Sequence, residues 1–325
     1  MKIVLMIKYK NKYIAMKARK DMHTEYEKGL MYQQEKNILD KIQNNVLNFY
    51  SLNKNIFEQS YFYYKEYENK KENYVLEPQE IPLKQFEVLV GEESILIITA
   101  NSVEEAVLLH SLSDYYQKPI PSYMVGGCVY QVVAIDGVVL VHNHALYTGD
   151  EYTRRAINTA KKYFCPAYVY LLGVCYGIDY ERYNIGTVFI ADFIQSYRIN
   201  FRDDEDSEET LYEADVEFEQ YPNKNVINGM KSFFAYCQPV NSIGGEETQE
   251  MYVQIAFGKL LSSNNLVSSK RVKEAIMYSL GGARPKPLGG EMEASGIFKS
   301  AYFENGDFNN WFVIKSVCDW GENVI

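Results

Sequence analysis

The last forty residues of this 325-residue chain constrain its fold more than any other stretch. A glycine pair at 289–290 precedes two acids, Glu291 and Glu293, and a small-residue segment that favours a helix. Paired glycines permit positive φ and predict a turn of the backbone. The apolar run 312–317 predicts a buried strand, and Asp319 follows its end. Because ligands of open α/β sheets collect at the carboxyl ends of strands, we expect Glu293 and Asp319 to meet at one sheet edge.

Continuous apolar runs mark the other predicted strands. The runs 94–100 and 167–172 are apolar almost throughout, which is typical of strands buried on both faces of a sheet. The Asp-Gly pair at 136–137, between two apolar stretches, predicts a hairpin turn. Helical spacing follows the first run and recurs at 149–163. We therefore predict an α/β fold over residues 91–325, with a mixed central β-sheet flanked by helices.

Residues 1–90 have a different character from the remainder of the chain. A charged, Tyr-rich run spans 61–74, and Pro78 and Pro82 interrupt the pattern in the way that a domain boundary does. No catalytic motif occurs in this region. We predict a smaller N-terminal accessory region of α+β type that senses a signal or binds a protein partner. A helical embellishment packed on the main domain fits the same sequence equally well.

Composition and charge exclude several classes of function. The net charge of −10 argues against general nucleic-acid binding, which needs a basic face. No apolar run approaches the roughly 20 residues needed to span a bilayer. The five cysteines are scattered without a Cys-x-x-Cys motif, and only His142 and His144 lie close together among the four histidines, so no metal site is expected. We predict a cytoplasmic protein without a cofactor that binds neither membrane nor nucleic acid.

The closing segment resembles a known superfamily. The pattern EMEA-x-G at 291–296, followed by an apolar strand and an acid at its end, is similar to that of purine nucleoside phosphorylases and methylthioadenosine nucleosidases. The resemblance implies that Asp319 protonates the purine as the glycosidic bond breaks. It also implies that Glu293 accepts hydrogen bonds from the ribose hydroxyls. Met292 then packs against the sugar or base, and Glu291 belongs to the same substrate-binding segment.

The resemblance extends to the first predicted strand and the helix after it. Asn101 or Ser102 can cap this helix, and Glu104 falls in its first turn. In the superfamily, a Glu four residues past the Ala at the strand end orients the attacking water, and that spacing selects Glu104. The adjacent Glu105 leaves a slip of one residue open. An ordinary first-turn Glu that interacts with the helix dipole is the structural alternative.

Two further segments match the superfamily in the same order. Similarity to its central Gly-rich loop implies that Gly173, Val174 and Cys175 line the nucleoside and nucleophile site, with a turn at the end of the strand. Superfamily members often have Ser where this chain has Val174, and the missing hydroxyl disfavours a bound phosphate nucleophile. Leu266 and Val267 match the segment that reads the purine edge, with Leu266 in place of a stacking aromatic residue.

The resemblance covers roughly residues 94–319. Superfamily members usually continue past the strand-end Asp into a long C-terminal helix, whereas this sequence stops at Ile325, so we expect a catalytic domain without that helix. The resemblance also implies a homo-oligomer. Larger relatives with extra N-terminal regions look like effectors of bacterial antiviral defence that deplete a purine nucleotide.

Three functions remain open from the sequence. The favoured one is hydrolysis of the N-glycosidic bond of a purine nucleoside or nucleotide, with Asp319 as general acid and Glu104 activating water. The second is a phosphate-dependent purine nucleoside phosphorylase. The third is a catalytically degenerate module that binds a nucleotide or a protein partner.

Overall fold

The computed structural model describes residues 67, 69–145, 147–203, 210–236, 254–280, 285–300 and 310–321. Most of the predicted accessory region and the residues after position 321 lie outside this description. The boundary at residue 90, the role of residues 1–90 and the missing C-terminal helix therefore stay predictions. Within the described ranges, no helix is long and apolar enough to cross a membrane.

The predicted mixed sheet flanked by helices is confirmed. The described residues form eleven strands: β1 Gln79–Glu80, β2 Ile95–Thr99, β3 Ser122–Val125, β4 Cys128–Ile135, β5 Val138–His144, β6 Tyr168–Gly177, β7 Val188–Asp203, β8 Thr210–Gln220, β9 Ile255–Ser262, β10 Gly289–Glu291 and β11 Trp311–Asp319. The α-helices among them are α1 Leu83–Val90, α2 Ser102–Tyr116, α3 Asp150–Lys161, α4 Lys224–Tyr236, α5 Lys270–Ser279 and α6 Ser295–Phe298.

Part of the sheet closes on itself. The strand order is β1-β3-β4-β5-β2-β6-β10-β9-β7-β11, with β8 paired to β7, and β11 also pairs with β6. Strands β6, β10, β9, β7 and β11 therefore form a closed ring. Strands β5, β2, β6 and β11 run in one direction, and β10 runs antiparallel to β6. Asp319 of β11 and Gly290 of β10 both pair with Tyr176 near the carboxyl end of β6, so the two acid-bearing segments meet there, although β10 reaches β6 from the opposite direction.

The glycines expected to make turns instead allow close packing inside strands. The predicted turn from Gly173 to Gly177 is wrong, because β6 continues through both residues. The pair at 289–290 lies in β10 without positive φ. A Cβ at either position of that pair would overlap Tyr176. The turn predicted at 136–137 is confirmed, since both residues have positive φ between β4 and β5.

Helices α1 and α3 pack against the main core, and α6 of the closing motif packs on α3. Phe86 and Val90 of α1 and Ile157 of α3 belong to the same large hydrophobic cluster as the central strands. Gly296 lets α6 approach α3, because a Cβ there would overlap the backbone oxygen of Asp150. Gly296 of the motif EMEA-x-G therefore allows α6 and α3 to pack closely together.

Candidate active site

A buried lysine occupies the middle of β11. Lys315 is 1% exposed, and its Nζ lies 2.7 Å from Oε2 of Glu293 and 3.2 Å from Oε2 of Glu291. Burial acts to lower the pKa of this lysine. The attraction of the carboxylates, Glu293 first, outweighs burial and raises that pKa well above its ordinary value. The lysine is therefore a fixed positive charge around which the acids of the EMEA segment are arranged.

Glu104 reaches the same place from the start of α2. The Asn101 side chain caps this helix by accepting the backbone N–H groups of Val103 and Glu104. Glu104 is 7% exposed. Its Oε2 accepts the N–H of Ala100 at 2.9 Å, and its Oε1 accepts the N–H of Val174 at 3.1 Å. The Glu104 carboxylate is thus turned inward, against Ala100 and Val174, and its role toward water stays a prediction.

Gly173 makes room for this carboxylate. A Cβ at position 173 would lie 2.7 Å from Oε1 of Glu104, and Gly173 is paired with Lys315 across β6 and β11. Burial raises the pKa of Glu104, while Lys315 opposes this shift and Glu293 adds to it. A carboxylate whose proton affinity is raised in this way is suited to accept a proton from water.

The Glu-Met-Glu segment leaves β10 and is fixed by its own first acid. Both oxygens of Glu291 accept backbone N–H groups, from Glu293 at 3.0 Å and from Ala294 at 3.1 and 3.0 Å. Burial raises the pKa of Glu291, with Lys315 opposing. Glu291 therefore braces the segment, Glu293 lies against Lys315, and the side chain of the intervening Met292 is partly exposed.

A β-bulge places Asp319. Val317 pairs with Cys175 and Asp319 pairs with Tyr176, so Cys318 is an extra residue in the ladder between β11 and β6. Bulges of this kind re-aim the side chains beside them. Oδ1 of Asp319 accepts the N–H of Gly321 at 2.7 Å, and Oδ2 accepts the thiol of Cys318 at 3.2 Å. The Asp319 side chain is held by local bonds and is partly exposed.

The Cys175 thiol lies within the field of the whole site. Burial raises the pKa of Cys175, Lys315 opposes that rise, and Glu291, Asp319 and Glu293 add to it. Glu291, Glu293, Lys315 and Asp319 therefore all lie near the Cys175 thiol. A protonated thiol is a poor nucleophile, so Cys175 fits a lining role rather than a reactive one.

The remaining predicted residues divide into two groups. Val174 contributes its backbone N–H to Glu104, and Val267 is buried beside Tyr176 and Leu261. Leu266 is 60% exposed, so the structure does not bring it into the buried cluster, and its contact with a base stays a prediction. Among the described residues, no group of three or more His, Cys, Asp or Glu is arranged to hold a metal ion.

Lys315 was missed by the sequence analysis. The signal was present, since Lys315 is the charged residue inside the apolar run 312–317 that predicted β11. A charged side chain in a strand buried on both faces needs a partner of opposite charge. The partner is set by β6, which pairs with both β11 and β10. The sequence around Lys315 therefore could not predict which acids the lysine would meet.

Comparison with known proteins agrees with this geometry. No family model matches the chain. The structure aligns with the methylthioadenosine/S-adenosylhomocysteine nucleosidase of Streptococcus pneumoniae bound to 8-aminoadenine, at TM-score 0.51 and 18% identity, over 70% of this chain and 87% of that one. It also aligns with the corresponding nucleosidase of Neisseria meningitidis bound to methylthio-immucillin-A, at TM-score 0.50 and 14% identity, over 71% and 87% of the two chains. The chain therefore shares the fold of these two nucleosidases.

One curated protein is similar to this chain in sequence as well. It is a "Death domain-containing ATP nucleosidase" from Amphimedon queenslandica, which is 30% identical over 159 residues. The match covers 45% of this chain and 28% of the relative. The chain therefore spans under a third of the relative's length, and the solved structures establish the fold alone.

Proposed function

We propose that the chain hydrolyses the N-glycosidic bond of a purine nucleoside or nucleotide and releases the free base and ribose or phosphoribose. The observation that carries this proposal is the convergence of Glu104, Glu293 and Lys315 in one buried cluster beside Asp319. Breaking a purine glycosidic bond requires a proton for the leaving base, hydrogen bonds that hold the ribose hydroxyls, and an activated nucleophile. The cluster and Asp319 together supply one group suited to each requirement.

Glu104 is the proposed general base for water. Two backbone N–H groups fix its orientation, and its raised pKa lets it take up the proton that an attacking water releases. General base catalysis of this kind contributes about 10² to 10⁴ in rate. The salt bridge from Lys315 holds the neighbouring Glu293 carboxylate in place, so that the positive charge growing on the ribosyl group during bond breaking is met by a nearby acid.

Glu293 and Met292 are the proposed contacts to the sugar. The Glu293 carboxylate accepts hydrogen bonds from the ribose hydroxyls, while the salt bridge to Lys315 limits its rotation. The adjacent Met292 supplies an apolar surface for the sugar or base. Glu291 does not need to touch the substrate, because its oxygens are already bonded to the backbone of the same segment.

Asp319 is the proposed general acid for the base. Its position next to the bulge at Cys318 and its partial exposure leave the carboxyl group open to a ligand. A proton delivered to N7 of the purine converts a poor leaving group into a neutral base. The N–H of Gly321 fixes one oxygen of Asp319 and so orients the other.

Water is favoured over phosphate as the nucleophile. The Val174 N–H, which could otherwise bind an anion, is already bonded to Glu104. The buried cluster contains the carboxyl groups of Glu104, Glu291 and Glu293 against the single ammonium of Lys315. An approaching phosphate dianion would be repelled by this set of charges. These observations disfavour the phosphorylase alternative.

A nucleotide is an attractive substrate because the curated relative is named an ATP nucleosidase and carries a death domain. We therefore include depletion of a purine nucleotide during antiviral defence in the proposal. Formation of a homo-oligomer and a protein partner for residues 1–90 remain predictions from the sequence. In this proposal, assembly into a homo-oligomer or binding of a protein partner switches the activity on.

Release of free base from a substrate panel tests the proposal. Adenosine, inosine, methylthioadenosine, AMP and ATP are each incubated with the full chain, with and without phosphate, and the base is quantified by chromatography. Base released without phosphate from at least one substrate, lost in Glu104→Gln and kept in the neighbouring Glu105→Gln control, supports hydrolysis. Release that depends on phosphate indicates a phosphorylase. Ligand binding without release from any substrate indicates a binding module.

A further inference from the structure

A cleft with a volume of about 370 Å³ lies between α4 and strands β7 to β9. This volume is within the range of roughly 300–1,000 Å³ in which proteins bind small molecules. One face of the first two turns of α4 forms a wall, since residues 224, 227, 228 and 231 line the cleft and follow helical spacing. Phe193 of β7, Glu219 of β8 and Lys259 of β9 line the other side.

The cleft lies on the opposite face of the strands from Lys315. Leu260 of β9 and Val313 of β11 belong to the same large hydrophobic cluster. Because side chains alternate along a strand, Lys315 lies on the face of Val313, whereas Lys259 lies on the face opposite to Leu260. The cleft is therefore separate from the site proposed for base release.

The ammonium of Lys259 is buried without a carboxylate partner. Lys259 is 1% exposed, and its Nζ donates to Oε1 of Gln195 at 3.1 Å. Its Nζ also lies 5.7 Å from the centre of the Phe193 ring. No residue in the described part of the chain forms an ion pair with it. An ammonium has three N–H donors, so two of them are without an acceptor among these residues.

The carboxylates that line the cleft already have partners. Oε1 of Glu219 accepts Nε2 of Gln195 at 2.8 Å, so the Gln195 amide lies between this acid and Lys259. Burial lowers the pKa of Lys259, and Glu219 opposes this shift. Oδ2 of Asp192 lies 2.8 Å from Nζ of Lys231. Neither acid therefore neutralises the buried ammonium by direct contact.

The cleft carries an excess of positive charge. Its described lining contains the three lysines Lys224, Lys231 and Lys259 against the two acids Asp192 and Glu219, which is a net charge of +1. Helix α4 begins at Lys224, so the positive end of the helix dipole lies at the cleft as well. A buried charge needs a counter-charge to offset its lost hydration. The cleft is therefore suited to an anion.

The types of side chain indicate which anion fits. The described lining contains lysines and no arginine. The planar fork of Arg matches carboxylates, whereas Lys binds phosphate as a point charge with rotatable donors. Tyr221 stacks on Phe193, with the ring centroids 4.6 Å apart and 6° between the planes. Because Tyr221 is 55% exposed, its ring offers an apolar surface to the organic part of a ligand.

We propose that this cleft binds a small phosphate monoester whose organic part is an apolar ring, with Lys259 and Lys224 holding the phosphate and Tyr221 contacting the ring. Lys259 keeps a buried charge that lowers stability until the ligand neutralises it. Residues retained at a cost to stability are typical of binding sites. The inference goes beyond the proposed function, because none of these residues belongs to the cluster around Lys315.

Binding of three probes tests the proposal. Phenyl phosphate, inorganic phosphate and benzoate are titrated into the full chain by calorimetry. We expect phenyl phosphate to bind most tightly, because it alone has both the phosphate and the ring. Lys259→Met should weaken its binding by about 10- to 100-fold, as loss of a charge-assisted hydrogen bond does. Lys224→Met should weaken it less, and Lys270→Met should not change it, because this exposed lysine of α5 does not line the cleft.

Stability separates a ligand site from a structural role of the ammonium. Met is similar in length to Lys and needs no counter-charge, so Lys259→Met should unfold at the same denaturant concentration as the wild type or at a higher one. Phenyl phosphate should raise the denaturation midpoint of the wild type and not that of Lys259→Met. If Lys259→Met is less stable, the exposed Lys224→Met decides, and unchanged affinity there would overturn the proposal.

Several other results would also overturn it. One is the absence of saturable binding of phenyl phosphate to the wild-type chain. Another is binding of benzoate or inorganic phosphate that is as tight as that of phenyl phosphate. Binding that is lost in Glu104→Gln would place the ligand in the buried cluster and not in the cleft. None of the probes is a nucleoside, so a failure to release base would overturn the proposed function and leave this inference to be decided by binding alone.

Discussion

The two halves of the candidate site are built on opposite physical principles. Glu104, Glu293 and Lys315 form a cluster with almost no solvent contact, in which each charge depends on the others. Asp319 is partly exposed, and it accepts the Cys318 thiol and the Gly321 N–H from its own turn. Buried charges are stable only when paired, whereas an exposed acid keeps its solvation. We infer that the cluster is rigid and sensitive to substitution, while Asp319 can be substituted with little effect on the surrounding structure.

Removal of the central cation should have the largest effect. We expect Lys315→Met to lower the free energy of unfolding by about 3–5 kcal/mol, because it leaves buried carboxylates without a counter-charge. Catalysis should be lost with it. Chemical denaturation measures the change. The exposed pair Lys286–Asp179 provides the control, since Lys286→Met should cost less than about 1 kcal/mol.

A second substitution sharpens this prediction. Adding Glu293→Gln to Lys315→Met removes one of the unpaired acids and should restore part of the lost stability. If the double variant is no more stable than the single one, then the lysine acts through packing of its hydrocarbon chain and not through its charge.

Removal of the exposed acid should affect rate without affecting stability. We expect Asp319→Asn to lower kcat for base release by about 10² to 10⁴ and to leave the denaturation midpoint nearly unchanged, because the carboxamide keeps an oxygen for the Gly321 N–H. Base release and denaturation are measured on the same preparation. Turnover within a few-fold of wild type would contradict the assignment of Asp319 as general acid.

The buried half should also set the acidic limb of the pH profile. Burial raises the pKa of Glu104, so the carboxyl group keeps its proton at pH values where an ordinary Glu, with a pKa of about 4.3, has lost it. A general base must be deprotonated to act. The value of kcat/KM should therefore fall as the pH is lowered through this raised pKa, above the ordinary range. Steady-state rates across pH check this, and Glu104→Gln should abolish the limb together with most of the activity.

A single methyl group should give the smallest effect. Gly173→Ala places a Cβ 2.7 Å from Oε1 of Glu104, which must move the carboxylate and should lower kcat about 10-fold. Gly229→Ala is the matched control, because nothing lies within 4 Å of a Cβ at that position in α4. The control should keep full activity and gain up to about 1 kcal/mol in stability from its higher helix propensity. Equal activity of the two variants would show that Glu104 tolerates displacement.

The sequence by itself determined the elements that carry the site. The largely apolar runs identified β2, β6 and β11, because a strand buried on both faces has no polar alternation to maintain. The capping residue Asn101 and its spacing to Glu104 located the first turn of α2. The motif EMEA-x-G and the acid at the strand end marked Glu293 and Asp319. All of these signals are local, so they are legible in a stretch of a few residues.

Only the tertiary structure decided how these elements meet. The pairing of β6 with both β10 and β11 brought Lys315 to Glu293, turned the glycine pair at 289–290 from a turn into a close contact, and placed Tyr176 between the two acids. Leu266 was likewise left exposed by the path of its loop. The pairings of β6 with β10 and with β11 join residues more than a hundred positions apart. Local propensity carries no information about such pairings, because they are chosen by the free energy of the whole packed sheet.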